Sequence, residues 1–309
     1  MSILVAADFA AEEWAAWWPA LHAALPDESL VREADDPAAV DIALVANPPE
    51  RMLAALPRLR FIQSLWAGVD RLLADSSVPT HIPLARMVDP AMSRAIAETA
   101  LWAVLSLHRD YFDYAAQQGR RVWLQRPQRR ADEVAVAVLG LGAMGRAVAL
   151  HLLANGYRVF GWSRTPVALE GVTTSAGAAS LASLLGQAEI VINLLPLTTA
   201  TRGLFDHKTL ASMRRGASLV NLARGDHVVE PDLLAALATG RLRRAILDVF
   251  AHEPLAPDHA FWSHARVTVL PHIAALTDPR SAAQVVARNV RALRSGAPLA
   301  HLVDRSRGY

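Results

Sequence analysis

The stretch Val134–Thr165, VAVAVLGLGAMGRAVALHLLANGYRVFGWSRT, decides the fold. It begins with a short run of valine and alanine, turns through GLGAMG, continues in a helical apolar pattern and ends in a second apolar run at Tyr157–Trp162. A strand, a glycine turn, a helix and a strand within about 30 residues form the context that the dinucleotide-binding fingerprint requires. The stretch therefore predicts a Rossmann-type βαβ unit.

Each glycine of the turn has a physical role in this prediction. Gly140 permits the tight turn, Gly142 leaves the backbone open to a pyrophosphate, and Gly145 lets helix and strand pack closely. The exposed N–H groups at the helix start, at Ala143 and Met144, favour phosphate charge together with the helix dipole. The alternative is a purely structural glycine turn.

The end of the second strand indicates which dinucleotide binds. An Asp or Glu there would bind the ribose hydroxyls of NAD, but this chain has Ser163, Arg164 and Thr165 and no carboxylate until Glu170. A guanidinium offers charge and a forked donor set to a 2′-phosphate, and the two hydroxyls add donors. We therefore expect NADP(H) to be preferred over NAD(H), with a solvated strand-end arginine as the alternative.

Length and composition exclude several classes of protein. The 309 residues suffice for two domains, and 53% apolar residues support a large core. With no cysteine the chain has no disulfide, thiolate metal site or cysteine nucleophile, and we expect no metal. No apolar run is long enough to span a membrane, and the acidic N-terminus does not suit a signal peptide, so we expect a cytoplasmic protein. The basic residues 126–130 indicate a solvated linker rather than a nucleic-acid patch.

The rest of the chain alternates between strand and helix patterns on both sides of the fingerprint. Before it, the pattern predicts strands at Ser2–Phe9, Asp41–Ala46, Phe61–Leu65 and near Leu84–Val88. It also predicts a helix at Glu50–Leu56 and one long helix over residues 92–118. After it, the pattern completes about six strands, the number of a full dinucleotide fold, and an amphipathic helix follows at Pro279–Arg294. We predict an α/β protein with two doubly wound parallel-sheet domains. A Rossmann domain, 94–276, is inserted in a smaller flavodoxin-like substrate domain, 1–93 with 277–309.

Polar residues follow three of the buried strands of the second domain. Arg224, Glu253 and His272 lie just past these strands, and the carboxyl ends of parallel strands form the ligand crevice of such sheets. A 2-oxo acid reductase needs a cation for the substrate carboxylate, an imidazolium to protonate the carbonyl oxygen and a carboxylate to keep that imidazole charged. The three residues match this chemistry as a set, although each alone also fits a structural role.

The chain resembles the D-isomer-specific 2-hydroxyacid dehydrogenases, most closely the glyoxylate/hydroxypyruvate reductase A group. The matching segments are LWAGVD (65–70), AET (97–99), VLGLGAMG (138–145), WSRT (162–165), INLLPLTTATRGL (192–204), LVNLARGDHVVEPDLLAAL (219–237), LDVFAHEPL (247–255), VTVLPHIAA (267–275) and VDRSRGY (303–309). The chain also resembles the β-hydroxyacid dehydrogenases in GLGAMG, but their fold starts at the fingerprint, which begins here only near residue 134. That family uses a catalytic lysine, whereas the single lysine here, Lys208, lies inside the nucleotide domain, so we reject this assignment.

The resemblance implies a role for each matching position. It makes Arg224, Glu253 and His272 catalytic, and it assigns substrate carboxylate binding to the backbone around Ala67 and Gly68. The further cofactor-binding positions that it implies are Leu195, Pro196, Thr201, Leu222, Ala223, Asp248 and Ala274. It also implies catalysis in a cleft between the domains and a D-hydroxy acid product.

Two tryptophans extend this expectation. Trp66 stands where many relatives have a small residue, and we expect it to wall the substrate pocket, with domain packing as the alternative. Trp123, in the connecting region, is expected to reach the partner's active site in a homodimer. The expected activity is NADPH-dependent reduction of glyoxylate and hydroxypyruvate to glycolate and D-glycerate. A reductase of bulkier 2-oxo acids such as phenylpyruvate and a non-catalytic nucleotide-sensing protein are the alternatives.

Overall fold

A computed structural model describes all 309 residues, which form two compact units. The first unit comprises Met1–Met92 and Thr277–Tyr309, and the second comprises Ser93–Leu276. Ser93 therefore lies in the second unit, one residue before the predicted boundary between residues 93 and 94. No helix is both long and apolar enough to cross a membrane.

Twelve strands and ten α-helices make up the two units. The strands are β1 (Ser2–Ala7), β2 (Ser29–Val31), β3 (Val40–Ala46), β4 (Phe61–Ser64), β5 (Leu84–Ala85), β6 (Ala135–Leu139), β7 (Arg158–Ser163), β8 (Thr173–Ala176), β9 (Ile190–Asn193), β10 (Ala217–Asn221), β11 (Leu242–Leu247) and β12 (Val267–Val269). The helices are α1 (Ala11–Ala24), α2 (Asp70–Ala74), α3 (Pro90–His108), α4 (Tyr111–Gly119), α5 (Ala143–Ala154), α6 (Ala178–Gln187), α7 (His207–Ser212), α8 (Glu230–Ala238), α9 (Ala260–Ser263) and α10 (Pro279–Ser295).

The first unit is built on a parallel sheet in the order β2-β1-β3-β4-β5, the strand order of flavodoxin-like folds. Every residue of β3 is buried, as expected for a strand that is covered on both faces. The helix α10, from the C-terminal part of the chain, packs against α1.

The second unit is built on a seven-stranded parallel sheet in the order β8-β7-β6-β9-β10-β11-β12. This is the Rossmann order, in which the sequence direction reverses between β6 and β9 and creates a crevice at the carboxyl ends of these strands. The predicted fold class, α/β with two parallel sheets of which one is a Rossmann sheet, is confirmed.

Some elements differ from the sequence expectations. The second sheet has a seventh strand, β8, at its edge. The sequence does not predict this strand because its residues, TTSA, contain no apolar run. The predicted helix at Glu50–Leu56 is wrong, since only a 3-10 turn at Leu53–Ala55 forms there. Arg51 has a φ of 64°, which interrupts a right-handed helix before it can start.

The single helix predicted over residues 92–118 is also wrong. Asp110, between α3 and α4, is left-handed with a φ of 55°. Its carboxylate accepts a hydrogen bond from Arg126 Nε at 3.1 Å and pairs with Arg243. These partners stabilise a conformation that the apolar pattern alone does not encode, and Asp is one of the few residues that tolerate it.

The basic linker is an exposed segment, and its arginines are paired. Arg126 pairs with Asp110, Arg129 with Glu189 at 2.5 Å and Arg130 with Asp132. The charges of the cluster are thus matched locally by carboxylates.

Arg294 links α10 to the sheet of the first unit through two carboxylates. Arg294 on α10 pairs with Asp41, whose side chain is 1% exposed, and donates to both oxygens of Glu28 at 2.9 Å. The two carboxylates raise the pKa of the Arg294 guanidinium, so this arginine stays charged. Asp41 depends on it, because an unpaired charge is costly in the interior.

Replacing Arg294 with Met is expected to lower the free energy of unfolding by about 3 kcal/mol, since it leaves Asp41 buried without a counter-charge. Urea denaturation measures this loss. Arg280→Met is the matched control, because its pair with Asp278 is solvent-exposed, and it should change the stability little. Adding Asp41→Asn to Arg294→Met should restore part of the loss; a double variant no more stable than the single variant would contradict the account.

Candidate active site

The loop that carries Arg224 is fixed by two buried asparagines at the ends of neighbouring strands. Asn193 ends β9 and Asn221 ends β10, and Asn193 Nδ2 donates to Asn221 Oδ1 at 3.0 Å. Asn221 Nδ2 donates in turn to the carbonyl oxygen of Arg224 at 2.8 Å. Buried amides cannot go unpaired without cost, so this chain of bonds holds the Arg224 backbone in one place.

Gly225 brings the Arg224 loop against the turn that contains Glu253. A Cβ at position 225 would lie 1.9 Å from the carbonyl carbon of Phe250 and 2.2 Å from Ala251 N. Only glycine permits this approach of two backbones. Arg224 and the Glu253 turn are therefore neighbours as a result of main-chain packing.

Glu253 and His272 form a direct hydrogen bond. His272 Nδ1 lies 2.7 Å from Glu253 Oε2, and Glu253 Oε1 accepts from the backbone N–H of Phe250 at 2.9 Å. With both oxygens engaged, the carboxylate is held in one orientation. When the imidazole is charged, Nδ1–H donates to Glu253 and the Nε2–H is left to act on a ligand.

Asp248, the residue after β11, positions the His272 loop. Its carboxylate accepts from the N–H groups of Ile273 at 2.8 Å and Ala274 at 3.0 Å. Its carbonyl oxygen accepts from the N–H of His272 at 2.9 Å. His272 itself has a φ of 55°, a conformation that needs such support.

The charges of the site shift its ionisation in a direction that suits proton donation. The hydrogen bond to Glu253 and the Glu253 charge raise the pKa of His272, against burial and the positive charge of Arg224. Burial alone would raise the pKa of Glu253, but its hydrogen bonds and the charges of His272 and Arg224 together lower it. The structure thus brings the three predicted residues within electrostatic reach of one another in the second unit.

These shifts fix the pH window in which the pair stabilises the fold. The contribution of His272 to the free energy of unfolding is full below the ordinary histidine pKa and is lost as the pH rises through the raised pKa of His272. The contribution of Glu253 is full above the ordinary carboxyl pKa and is lost as the pH falls through its lowered pKa. Between these limits both groups are charged.

The glycine turn has the geometry that a dinucleotide requires. Gly140 has a φ of 97°, and a Cβ on it would lie 2.7 Å from Leu194 O. A Cβ on Gly145 would lie 1.7 Å from Gly140 O, so this glycine is required for close packing. A Cβ on Gly142 would meet nothing within 4 Å, so the fold itself does not require glycine there. Open space beside Gly142, at the N-terminus of α5, fits a bound pyrophosphate.

The three residues at the carboxyl end of β7, Ser163, Arg164 and Thr165, differ in exposure. Arg164 and Thr165 are exposed at the carboxyl end of this strand, where a ribose would lie. Ser163 is buried, and its hydroxyl donates to the carbonyl oxygen of Thr165 at 2.7 Å. In this structure the Ser163 hydroxyl closes the turn, and its expected role as a donor to phosphate stays a prediction.

The loop after β9 contains the positions expected on the adenosine side. Leu195 is buried, and Thr201 Oγ1 donates to the carbonyl oxygen of Pro196 at 2.7 Å, which closes the loop on itself. His227, a site residue that the sequence pattern did not predict, contacts both this loop and the Arg224 loop. Asn193 and Asn221 were missed as well; the signal available was a polar residue at the end of each apolar strand.

The loop with Trp66, Ala67 and Gly68 belongs to the first unit. Ser64 Oγ donates to the Trp66 carbonyl at 3.0 Å, and the Trp66 N–H donates back to Ser64 Oγ at 3.1 Å. The N–H groups of Ala67 and Gly68 take no part in these bonds, which suits an anion-binding turn. The Trp66 ring is half-buried and packs edge-on against Phe9 and Trp17.

Comparison with known proteins places this geometry in context. Residues 101–274 match the model of the NAD-binding domain of D-isomer specific 2-hydroxyacid dehydrogenases. A glyoxylate/hydroxypyruvate reductase A of Serratia proteamaculans is 41% identical over an alignment of 308 residues, and the match covers 97% of this chain and 97% of that one. A D-isomer specific 2-hydroxyacid dehydrogenase of Xanthobacter autotrophicus Py2, solved with NADPH and MES, is 40% identical with a TM-score of 0.95, and the match covers 100% of this chain and 99% of that one.

A second solved structure is similarly close. The NADPH-dependent glyoxylate/hydroxypyruvate reductase of Sinorhizobium meliloti, solved with NADP and sulfate, is 34% identical with a TM-score of 0.94, and the match covers 100% of both chains.

Replacing Glu253 with Gln is expected to lower the pKa of His272, because the largest cause that raises it is the hydrogen bond to this carboxylate. An NMR titration of the His272 ring protons measures the shift. Glu230→Gln, which removes the carboxylate 3.1 Å from His259 Nε2, is the control and should leave the His272 titration unchanged. An unshifted His272 titration in Glu253→Gln would show that the pair does not control this proton.

Proposed function

The chain belongs to the D-isomer-specific 2-hydroxyacid dehydrogenase family, and we propose that it reduces glyoxylate and hydroxypyruvate with NADPH to glycolate and D-glycerate. The observation that carries this proposal is the Glu253–His272 hydrogen bond beside the charge of Arg224, at the carboxyl ends of the Rossmann strands. The site combines a proton donor with an anchor for an anionic substrate. A protein that only senses a nucleotide has no need of that combination.

In this mechanism Arg224 binds the carboxylate of the 2-oxo acid and polarises its carbonyl group. The reduced nicotinamide, when bound, supplies the hydride that C2 accepts. His272 gives its Nε2 proton to the carbonyl oxygen, and Glu253 stabilises the imidazolium through Nδ1 until that transfer. The Asp248 carboxylate holds the His272 loop in place by accepting the backbone N–H groups of Ile273 and Ala274.

NADP(H) is the preferred cofactor. Gly140 and Gly145 form the tight turn, the open space beside Gly142 would accommodate the pyrophosphate, and Arg164 is exposed where a 2′-phosphate would need a cation. The relatives solved with NADPH and NADP support this assignment. Asp248, Leu222, Ala223 and Ala274 would line the nicotinamide end, and Leu195, Pro196 and Thr201 the adenosine side.

Trp66 restricts the substrate. The backbone of Ala67 and Gly68 would bind the substrate carboxylate, and the neighbouring indole would form the wall over the C3 side of the substrate. Phe9 and Trp17 pack against it at centroid distances of 5.8 and 6.1 Å, so the wall is supported from behind. A rigid wall favours small or flat 2-oxo acids over branched ones.

The enzyme acts as a homodimer in the cytoplasm, with no nucleic-acid or membrane partner. Trp123 is 94% exposed, and its neighbours Val122 and Leu124 are 46% and 62% exposed. Three consecutive apolar side chains in water favour burial against a second copy of the chain, where Trp123 would reach the partner's active site. A fully active monomer by light scattering and assay would rule this out.

Initial rates at 340 nm test the cofactor and the activity together. Turnover of glyoxylate and hydroxypyruvate should be far faster with NADPH than with NADH. Arg164→Ala should lower kcat/KM for NADPH by about tenfold or more and leave NADH little affected, since it removes a charge-assisted contact. Arg158→Ala, an exposed arginine at the other end of β7, is the control and should keep the wild-type preference. Equal use of both cofactors by the wild type would contradict the assignment.

Trp66→Gly tests the substrate wall. Removing the indole should raise kcat/KM for 2-oxoisovalerate relative to glyoxylate by about tenfold or more, because a branched chain then fits. Trp18→Ala, which removes an indole that packs on Trp14 and His22 instead, should keep the wild-type order. Unchanged relative values across glyoxylate, phenylpyruvate and 2-oxoisovalerate in Trp66→Gly would mean that Trp66 only packs.

A further inference from the structure

His227 is a buried histidine that the reaction described above does not use. It lies in the 3-10 turn Gly225–His227, directly after Arg224, and its side chain is 0% exposed. Its ring nitrogens face two backbone carbonyls, with Nδ1 3.1 Å from Arg224 O and Nε2 3.3 Å from Pro196 O. The ring therefore lies between the loop of the catalytic arginine and the loop on the adenosine side.

Both carbonyls already accept another hydrogen bond. Asn221 Nδ2 donates to Arg224 O at 2.8 Å, and Thr201 Oγ1 donates to Pro196 O at 2.7 Å. Arg224 O also accepts the backbone N–H of His227, in the longer 3.3 Å bond of the 3-10 turn. A carbonyl oxygen has two lone pairs, so Pro196 O has room for one more donor, and Arg224 O can take the ring N–H only by sharing a lone pair with that long bond. A neutral imidazole has only one N–H and can serve only one of them.

His227 is held neutral. Burial lowers its pKa, and the positive charge of Arg224 acts in the same direction. The choice between the two carbonyls is then a choice of tautomer, and the shorter contact is the one to Arg224 O.

We propose that His227, as its Nδ1–H tautomer, is a positioning residue that fixes the main chain of Arg224 and so aims the guanidinium at the substrate carboxylate. This inference rests on the proposed function of Arg224. Together, His227 and Asn221 donate to the same carbonyl oxygen from two sides, so the peptide that follows Arg224 cannot rotate without breaking two bonds. The contact of Nε2 with Pro196 O is then packing without a hydrogen bond.

Three variants of His227 distinguish the role of Nδ1 from that of Nε2. The side-chain amide of Asn can place its N–H near the position of Nδ1, that of Gln can place it near Nε2, and Phe keeps the ring without either nitrogen. His227→Phe should lower kcat/KM for glyoxylate by about tenfold, mainly through KM, because Arg224 already binds the carboxylate in the ground state. The Kd for NADPH, measured by fluorescence, should stay within about twofold. His227→Asn should recover kcat/KM to within about threefold of the wild type, whereas His227→Gln should remain as low as Phe.

The NMR resonance of the Arg224 Nε–H group reports the same orientation without turnover. It should shift in His227→Phe and His227→Gln and return to its wild-type position in His227→Asn. Rescue by Gln instead of Asn, no rescue by either, or losses that simply follow the Tm of the three variants would overturn the proposal. A wild-type protein that turns over no 2-oxo acid would refute the proposed function, while this resonance would still decide the role of His227.

Discussion

The pairing of Glu253 with His272 depends on one buried carboxylate. Asp248 accepts three backbone N–H groups from consecutive residues, His272, Ile273 and Ala274, and only four residues separate it from Glu253 in the chain. Burial raises the pKa of Asp248, and the N–H groups of Ile273 and Ala274 oppose that rise. Because the carboxylate and the carbonyl oxygen of Asp248 together hold the loop of His272, the backbone of the fold supports the 2.7 Å contact between His272 and Glu253.

The parallel sheet supplies the other half of this arrangement. Strands β9, β10, β11 and β12 end at one edge, so four loops meet there, and buried amides and glycine join them. Arg224 favours an ionised Glu253 and opposes a charged His272, whereas Glu253 favours a charged His272 more strongly. The pKa of His272 is therefore raised next to the guanidinium of Arg224, and the proposed carbonyl reduction of an acid requires this combination of a proton donor and a cation.

The sequence predicted the parts of this structure that depend on patterns. Apolar runs revealed ten of the strands, the glycine turn revealed the Rossmann unit, and strand-end polarity revealed Arg224, Glu253 and His272. The strands β2 and β8 and the break at Asp110 escaped notice because short edge strands and a left-handed aspartate depend on partners distant in sequence. The role of His227 could not be predicted for the same reason, since it depends on the two backbone carbonyls that its ring nitrogens face.

NADPH oxidation by the wild type and by His272→Ala with glyoxylate, together with the Kd of each protein for NADPH, tests the role of His272 as proton donor. The variant should bind NADPH as tightly as the wild type and lose at least about two orders of magnitude in kcat, since general acid catalysis contributes that much. A variant that retains wild-type kcat would show that His272 does not deliver the proton, and the account of the site would be wrong.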